Sequence, residues 1–496
     1  MNWKWEEPWF TEARKRLEEM EREPLSPENP ARLERLAENL AGRRTLFAPE
    51  SQYAGQLENV RDAMKKRSGP PEDDLLPFLA ELKEEIYFRG CVEPWKERWV
   101  SYYQEEFAAH HANGRPWREG DPPVTVFVPA CGHLEATKNC VESILRHTPQ
   151  ADYDLLLIDH GSRDDTRVYF QRVPGARVMA MKENVRMLMF SSAFRACRGK
   201  YLAFVSNDTE VTEGWLERLT DCLETLPKAV SATPVTPATS NFQSQEAVSL
   251  AEGRFCWRRR SRIMPVIGVY DREKVNEIGF ADRLFWSMEF WDDDFSLRAR
   301  RRGFWQMLCT NVYCHHLGSL TGRAAWEKEH TLAWGRELFW KKHGTDPWAK
   351  GFCRQEDLMV LVRQWRPSWS KAEGLAIDCG FGDGPLEIGN HCALGGAELF
   401  WQAVTTEAEF LPDLAAYAEK GEAVTDLEPW LKKCFAKKRF QVILREEMTE
   451  EGLMPLLARG LERDGILWTM GRTEKCPGLE RLGQCGLWQT WRKKGT

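Results

Sequence analysis

Nowhere in the sequence do about 18 apolar residues run without charge, the length that a membrane-crossing helix needs. Apolar runs such as Leu155-Leu156-Leu157-Ile158 are strand-sized. The start, Met1-Asn2-Trp3-Lys4-Trp5-Glu6-Glu7, lacks the basic stretch, apolar core and small-residue cleavage site of a secretory signal. A cytoplasmic protein with no transmembrane segment is expected, and peripheral contact with a membrane stays open. The 14 cysteines are scattered without a C-x-x-C pair, so neither a zinc ribbon nor a disulfide framework is favoured, and most read as reduced core thiols. Basic charge is not in excess either: 69 Lys+Arg face 75 Asp+Glu for a net charge of −6, so nucleic acid is not expected as a partner. There is no internal repeat and no low-complexity tract.

What is present is material for several cores: 496 residues, 42% hydrophobic and 29% charged, against a prior of about 150 residues per domain. Residues 1–120 are rich in charge. Apolar positions there recur at helical spacing, as in Leu33, Leu36 and Leu40, with breaks at Pro24-Leu25-Ser26-Pro27 and Ser68-Gly69-Pro70-Pro71, so a helical packing or partner-binding domain is expected. Adjacent His110-His111 reads as surface, because neighbours on a helix point in different directions.

The texture changes at Asp121-Pro122-Pro123. Val124–Val128, Tyr153–Ile158, Val178–Ala180 and Tyr201–Val205 read as strands, alternating with helix-like segments at Glu135–Arg146 and around Phe190–Cys197. This predicts an α/β fold over 121–345 with a largely parallel sheet, whose ligands sit at the carboxyl ends of the strands. A linker over 346–370 and a smaller α/β domain over 371–496 follow, with strands at Leu375–Asp378, Phe440–Leu444 and Gly465–Thr469.

Polar residues stand where the predicted strands end. Asp159-His160-Gly161-Ser162-Arg163-Asp164-Asp165-Thr166 is a carboxylate followed by a tight polar turn, and Ser206-Asn207-Asp208-Thr209-Glu210 ends another strand in the hard oxygen ligands that Mg²⁺ or Mn²⁺ prefers. Each alone reads equally well as a cap or an Asx turn. Further on, Trp291-Asp292-Asp293-Asp294 opens a helix with three carboxylates that suit its dipole. Val312-Tyr313-Cys314-His315-His316 places two imidazoles side by side, of which an extended chain can present only one to a given ligand. A buried structural histidine pair is the competing reading.

Taken in order, these motifs resemble the family 2 glycosyltransferases of GT-A fold, in particular their rhamnosyltransferase-like branch. The likeness rests on Pro129 and the helix after it, Asp159-x-Gly161-Ser162-x-Asp164-x-Thr166, Glu183-Asn184, Arg198-Gly199-Lys200-Tyr201, and Asn207-Asp208 with Gly214-Trp215-Leu216. Gly279-Phe280-Ala281-Asp282-Arg283, Trp291–Arg298 and His315-His316-Leu317-Gly318-Ser319 continue it. The resemblance implies an inverting glycosyltransferase that moves a sugar from a nucleotide-diphosphate sugar to a hydroxyl of a protein or glycan acceptor. Pro129, Ala130, Asp159, Gly161, Ser162, Asn184, Asn207 and Asp208 would bind the donor. A divalent cation, Mn²⁺ or Mg²⁺, would be held by Asp208 with His316 or His315, His316 preferred. Asp292 would be the catalytic base and Asp294 a structural carboxylate, although an acceptor or phosphate role for Asp294 stays open. Two departures stand out: Ser206 where many relatives have a carboxylate, and Arg186 where a glycine is common.

Arg258-Arg259-Arg260 lies in a stretch that commonly covers the acceptor in this fold, and it is a candidate for acceptor or phosphate binding. Arg298-Ala299-Arg300-Arg301-Arg302 reads as a solvated helix end. In the last domain Asp378-Cys379-Gly380-Phe381-Gly382 follows a strand and resembles the first motif of Rossmann-type methyltransferases. The next strand ends in Thr405-Thr406 where that class has an acidic residue, so a degenerate Rossmann-like domain is expected and S-adenosylmethionine is not. The alternatives to a glycosyltransferase are a non-catalytic nucleotide-sugar-binding scaffold and a bifunctional glycosyl/methyltransferase.

Overall fold

In a computed structural model, the residues described are 116–494 apart from 149–152, 183, 185, 187, 238–255, 265, 283–284, 286–288, 319–330, 349–354 and 450–451, together with 15, 19 and 22. The expected helical amino-terminal domain, His110-His111, Glu183, Arg283 and Ser319 lie outside the described residues.

Two sheets organise the chain. The first unit runs β1 (Val124–Ala130), α1 (Leu134–His147), β2 (Tyr153–His160), α2 (Thr166–Phe170), β3 (Arg177–Met181), α3 (Leu188–Ala196), β4 (Tyr201–Val205), β5 (Thr209–Glu210), α4 (Trp215–Thr225) and β6 (Ala229–Val235). It continues with β7 (Trp257–Arg260), β8 (Ile267–Asp271), α5 (Arg272–Ile278), α6 (Trp291–Arg301), β9 (Trp305–Tyr313), β10 (His315–His316) and α7 (Thr331–His343). Strands β1, β4 and β6 are buried throughout, which is why they read as continuous apolar runs without alternation. Helix α1 buries Thr137, Cys140, Val141 and Ile144, a stripe at helical spacing that packs on this sheet.

The sheet order is β3-β2-β1-β4-β8-β6-β9-β7. Strands β1 to β4 pair in parallel, but β4 and β6 both pair antiparallel with β8, and β7 pairs antiparallel with β9. The sheet is therefore mixed where a largely parallel one was expected. Its antiparallel part comes from β7 and β8, which the reading of apolar runs passed over. Gly199, in the turn before β4, lies so close to β1 that a Cβ would strike the backbone of Val124 and Thr125.

The second unit comprises α8 (Glu356–Gln364), β11 (Lys371–Ile377), α9 (Asp383–Leu394), β12 (Glu398–Thr405), α10 (Leu411–Leu414), β13 (Lys420–Ala423), α11 (Leu427–Lys437), β14 (Phe440–Met448), α12 (Met454–Gly460), β15 (Leu461–Met470), β16 (Leu479–Cys485) and β17 (Trp488–Lys493). Its order is β13-β12-β11-β14-β15-β17-β16, parallel except for β17. The expected linker is in part structural: α8 buries Leu358, Met359, Leu361 and Val362 in the core of this second unit.

Candidate functional site

The ends of β1 and β2 are in register, Pro129 opposite Ile158 and Ala130 opposite Asp159, so the strand pairing alone brings three of the expected donor residues together. The chain then turns through Gly161, and Asp159 Oδ1 accepts from the Ser162 N–H at 3.0 Å. Ser162 Oγ accepts from the Gly132 N–H at 2.8 Å and ties this turn to the one after β1. Asp164 accepts from the Leu134 N–H at 3.1 Å and from Thr166 Oγ1 at 2.6 Å, so the second carboxylate of the motif builds the loop. Sequence reasoning missed Arg167, whose Nε donates to Asp159 Oδ2 at 2.8 Å and whose NH2 donates to the Met181 carbonyl at 2.9 Å. Its signal is its place directly after the motif, on the first turn of α2.

Asn184 Oδ1 lies 3.2 Å from His160 Nδ1 and accepts from the Arg186 N–H at 2.9 Å. Burial pushes the His160 imidazole down to about 4, so it is neutral at neutral pH. Arg186 has φ 46°, the left-handed region, which gives a conformational reason why glycine suits this position. Asn207 Nδ2 donates to Thr137 Oγ1 at 2.9 Å and to the Gly132 carbonyl at 3.4 Å, linking the turn after β4 to α1.

Beyond β4, β5 and β10 pair antiparallel with His316 opposite Thr209, and the Leu317 N–H donates to the Asp208 carbonyl at 3.0 Å. This carries His316 Nε2 to 3.4 Å from Asp208 Oδ2, both side chains being buried. His315 faces out and is exposed, 3.4 Å from the Tyr313 hydroxyl. Ser206 Oγ donates to Asp208 Oδ1 at 2.5 Å. Burial pushes the Asp208 carboxyl up, but the hydrogen bonds from His316 and Ser206 outweigh it and hold the group below the usual value, ionised at neutral pH. Among the described residues no three of His, Cys, Asp and Glu come together as a metal cluster. An imidazole and a carboxylate 3.4 Å apart, with His316 Nδ1 buried and unpartnered, fit two ligands of a divalent ion whose other ligands come from outside the protein.

The three carboxylates opening α6 have three different surroundings. Phe290, the residue before the helix, has φ 66°, a strained conformation for an aromatic residue. Asp292 is buried at the helix start; burial and then the neighbouring Asp293 push its carboxyl up to about 7, against the pull of Arg262. Asp293 Oδ1 pairs with Arg262 NH1 at 2.7 Å. Asp294 faces the opposite way: Arg298 Nε and His343 Nε2 each lie 2.8 Å from its carboxylate, and Lys342 bridges it to Asp282. Burial would push the Asp294 carboxyl up, but Arg298, Lys342 and His343 pull it well below the usual range. Asp294 is thus wholly engaged inside the protein, and the acceptor or phosphate role left open for it gives way to the structural one. Trp291 packs on Phe190, which also packs on Phe204 of β4, so one aromatic cluster joins α6 to the strand that leads to Asp208.

The basic cluster is placed differently from the expectation. Arg259 donates to the Ala416 carbonyl, and Arg260 pairs with Glu387 at 3.1 Å with both side chains buried. Both guanidiniums thus meet groups of the second unit at the seam between the sheets. Arg298 and Arg300, expected at a solvated helix end, are buried as well: Arg298 turns inward to Asp294 and the carbonyls of Ile278, Gly279 and Phe280, and Arg300 meets the Phe381 carbonyl of the second unit.

Residues 125–273 match the model of the family described as Glycosyl transferase family 2. The chain carries a family 2 glycosyl transferase domain. The matched part of this domain takes in Asp159 and Asp208 and ends before Asp292 and His316, and it belongs to the mixed sheet. Over 108 residues the chain is 32% identical to "Uncharacterized protein y4gI" of Sinorhizobium fredii (strain NBRC 101917 / NGR234), a match that spans 20% of this chain and 12% of that protein. Among solved structures, GalNAc-T7 with UDP, GalNAc and Mn²⁺ aligns at 15% identity and a TM-score of 0.33 over 41% of this chain and 44% of that one. The mannosyltransferase PcManGT from Pyrobaculum calidifontis, in complex with GDP-Man and Mn²⁺, aligns at 16% identity and a TM-score of 0.34 over 46% of this chain and 66% of that one. No described helix is long and apolar enough to cross a membrane.

Proposed function

We propose that this chain is an inverting glycosyltransferase that moves a sugar from a nucleotide-diphosphate sugar to an acceptor hydroxyl, with Asp292 as general base. The observation that carries the reading is geometric: Asp292 opens α6, which the Trp291, Phe190 and Phe204 rings join to the strand leading to Asp208 and His316, and burial and Asp293 push its carboxyl up, toward the range of a general base. The family 2 domain supports the donor class. Base and ribose lie over the ends of β1 and β2, oriented by Pro129, Ala130 and the turn that Asp159, Gly161 and Ser162 build. Asp208 and His316 would hold a divalent cation, which when bound offsets the charge that develops on the leaving diphosphate. Asp292 accepts the proton of the attacking hydroxyl, and a single displacement at the anomeric carbon inverts its configuration. The unpaired cysteines among the described residues suit a reducing compartment, in keeping with a cytoplasmic enzyme acting on a protein or glycan acceptor.

The test is a panel of UDP-, GDP- and dTDP-linked sugars, with release of the nucleoside diphosphate measured with Mg²⁺ or Mn²⁺ and after chelation. Turnover with at least one donor is expected, reduced about 10²–10⁴-fold in Asp292→Asn. Binding of a donor without turnover by any member of the panel would instead favour the non-catalytic scaffold.

A further inference from the structure

In open α/β sheets a ligand sits where the strand order reverses, outside the carboxyl ends of the two strands concerned. In the second sheet that place lies between β11 and β14, at the Gly-rich turn Cys379–Gly382. It is filled from within: a Cβ at Gly382 would run into the Tyr417 ring and one at Gly384 into the Glu446 carboxyl. From the first unit, Arg300 donates to the Phe381 carbonyl and Arg301 pairs with Asp413 at 2.9 Å. Arg259 donates to the Ala416 carbonyl, Arg260 pairs with Glu387, and Ser261 Oγ donates to Asp383 Oδ1 at 2.5 Å. Asn390 of α9 closes the seam by donating to the Arg259 carbonyl at 2.9 Å.

Among the described residues, the hydrogen bonds and ion pairs named here reach this seam from two segments of the first unit, residues 259–261 and the carboxyl end of α6. The same two segments carry the surroundings of the candidate base. Arg262 follows Ser261 directly and pairs with Asp293 at 2.7 Å, while Asp292 sits at the other end of α6. We propose that Arg262 is a positioning residue for the Asp292 base, and that the second sheet, with its ligand crevice filled, is the clamp that fixes Arg262 against Asp293. This rests on the function proposed above. Three groups set the electrostatics at Asp292: Asp293 beside it, Arg262 from the segment after β7, and the buried Tyr270 hydroxyl of β8. Of these only Arg262 is positive, and with the backbone N–H groups at the helix start it favours the carboxylate against burial and Asp293.

The full-length chain tests this with Arg262→Gln, Arg262→Lys and the seam variant Ser261→Ala, which removes a hydrogen bond and no charge. With a donor from the panel, Arg262→Gln is expected to move the rising limb of the kcat–pH profile up by about one pH unit, an effect of about fivefold at pH 7 that approaches about 10-fold at lower pH. Donor KM stays within about twofold, Arg262→Lys restores most of the profile, and Ser261→Ala shifts it in the same direction by less. A readout independent of turnover is the pH dependence of the melting temperature between about pH 5 and 9, where the fall due to ionising Asp292 moves to higher pH in Arg262→Gln and vanishes when Asp292→Asn is added. A profile that is uniformly lowered in Arg262→Gln without moving along the pH axis overturns the positioning role. Calorimetric binding of S-adenosylmethionine at millimolar concentration overturns the filled crevice. Failure of the proposed reaction shows separately, as wild-type protein that turns over no donor while the melting profile still moves.

Discussion

Asp292 is burdened by the burial that gives it its chemistry. Its carboxyl is pushed from an ordinary 3.8 up to about 7, so folding favours the protonated form. The sign follows: its contribution to stability is fully present below the unfolded value and is lost as pH rises through about 7. Turnover runs the other way, because only the carboxylate accepts a proton, and it should rise with pH through the same window. Asp292→Asn should therefore abolish the rising limb while flattening the melting temperature against pH, measured by scanning fluorimetry from about pH 5 to 9. That a carboxylate opens a helix at this position was legible in the sequence from motif order. Arg262 and Arg167 were not, since the first meets Asp293 and the second Asp159 through tertiary contacts that no spacing announces. Of the two adjacent histidines the resemblance preferred His316, and the pairing of β5 with β10 sets His316 beside Asp208 and leaves His315 exposed.

At the scale of the element, α6 holds two carboxylates, two residues apart, with opposite electrostatic fates. Asp294 is the centre of a buried network with Arg298, Lys342 and His343, which also draws in Asp282 through Lys342. Removing one partner of such a network leaves uncompensated buried charge, which costs about 3–5 kcal/mol. Asp294→Asn should lower the unfolding free energy by that order at neutral pH, in contrast to Asp292→Asn, and the gap between wild type and Asp294→Asn should narrow in acid. Asp294 is held below the usual carboxylate range, so its contribution is present above the unfolded value and is lost as pH falls. The strands β1 to β4 and the helix α1 were readable because burial on both faces leaves continuous apolar runs, and a helix leaves a stripe. Strand β7 was not, because Trp257-Arg258-Arg259-Arg260 looks like a surface cluster until a second sheet covers it. Helix α8 carried its apolar spacing in plain view at Leu358, Leu361 and Val362. Its place between the two sheets in the chain suggests a linker, yet it packs in the core of the second unit.

Across the whole molecule, the seam decides whether the chain behaves as two domains or one. Its contacts are unusual for an interface within a chain, where exposed polar contacts and relative motion are the default. Asp413 is fully buried, with Arg301 at 2.9 Å and Arg300 at 3.6 Å, and Arg260 and Glu387 are both buried. Charges this deep are screened little by salt and are held only while both units stay folded. The two sheets should therefore melt together in one calorimetric transition that is insensitive to ionic strength. Asp413→Ala removes the shared partner of two guanidiniums and leaves Arg300 buried with only the Phe381 carbonyl and Arg301 partly buried, so it should cost about 3–5 kcal/mol and split the transition in two, with the second sheet's transition separable from the first. If the wild type already melts in two steps, or Asp413→Ala leaves a single unchanged transition, the seam is not what couples the units. Because that seam ends one residue from Arg262, the same variant also asks whether distant docking reaches the base: uncoupling the sheets should shift the pH dependence at Asp292 in the direction expected for Arg262→Gln.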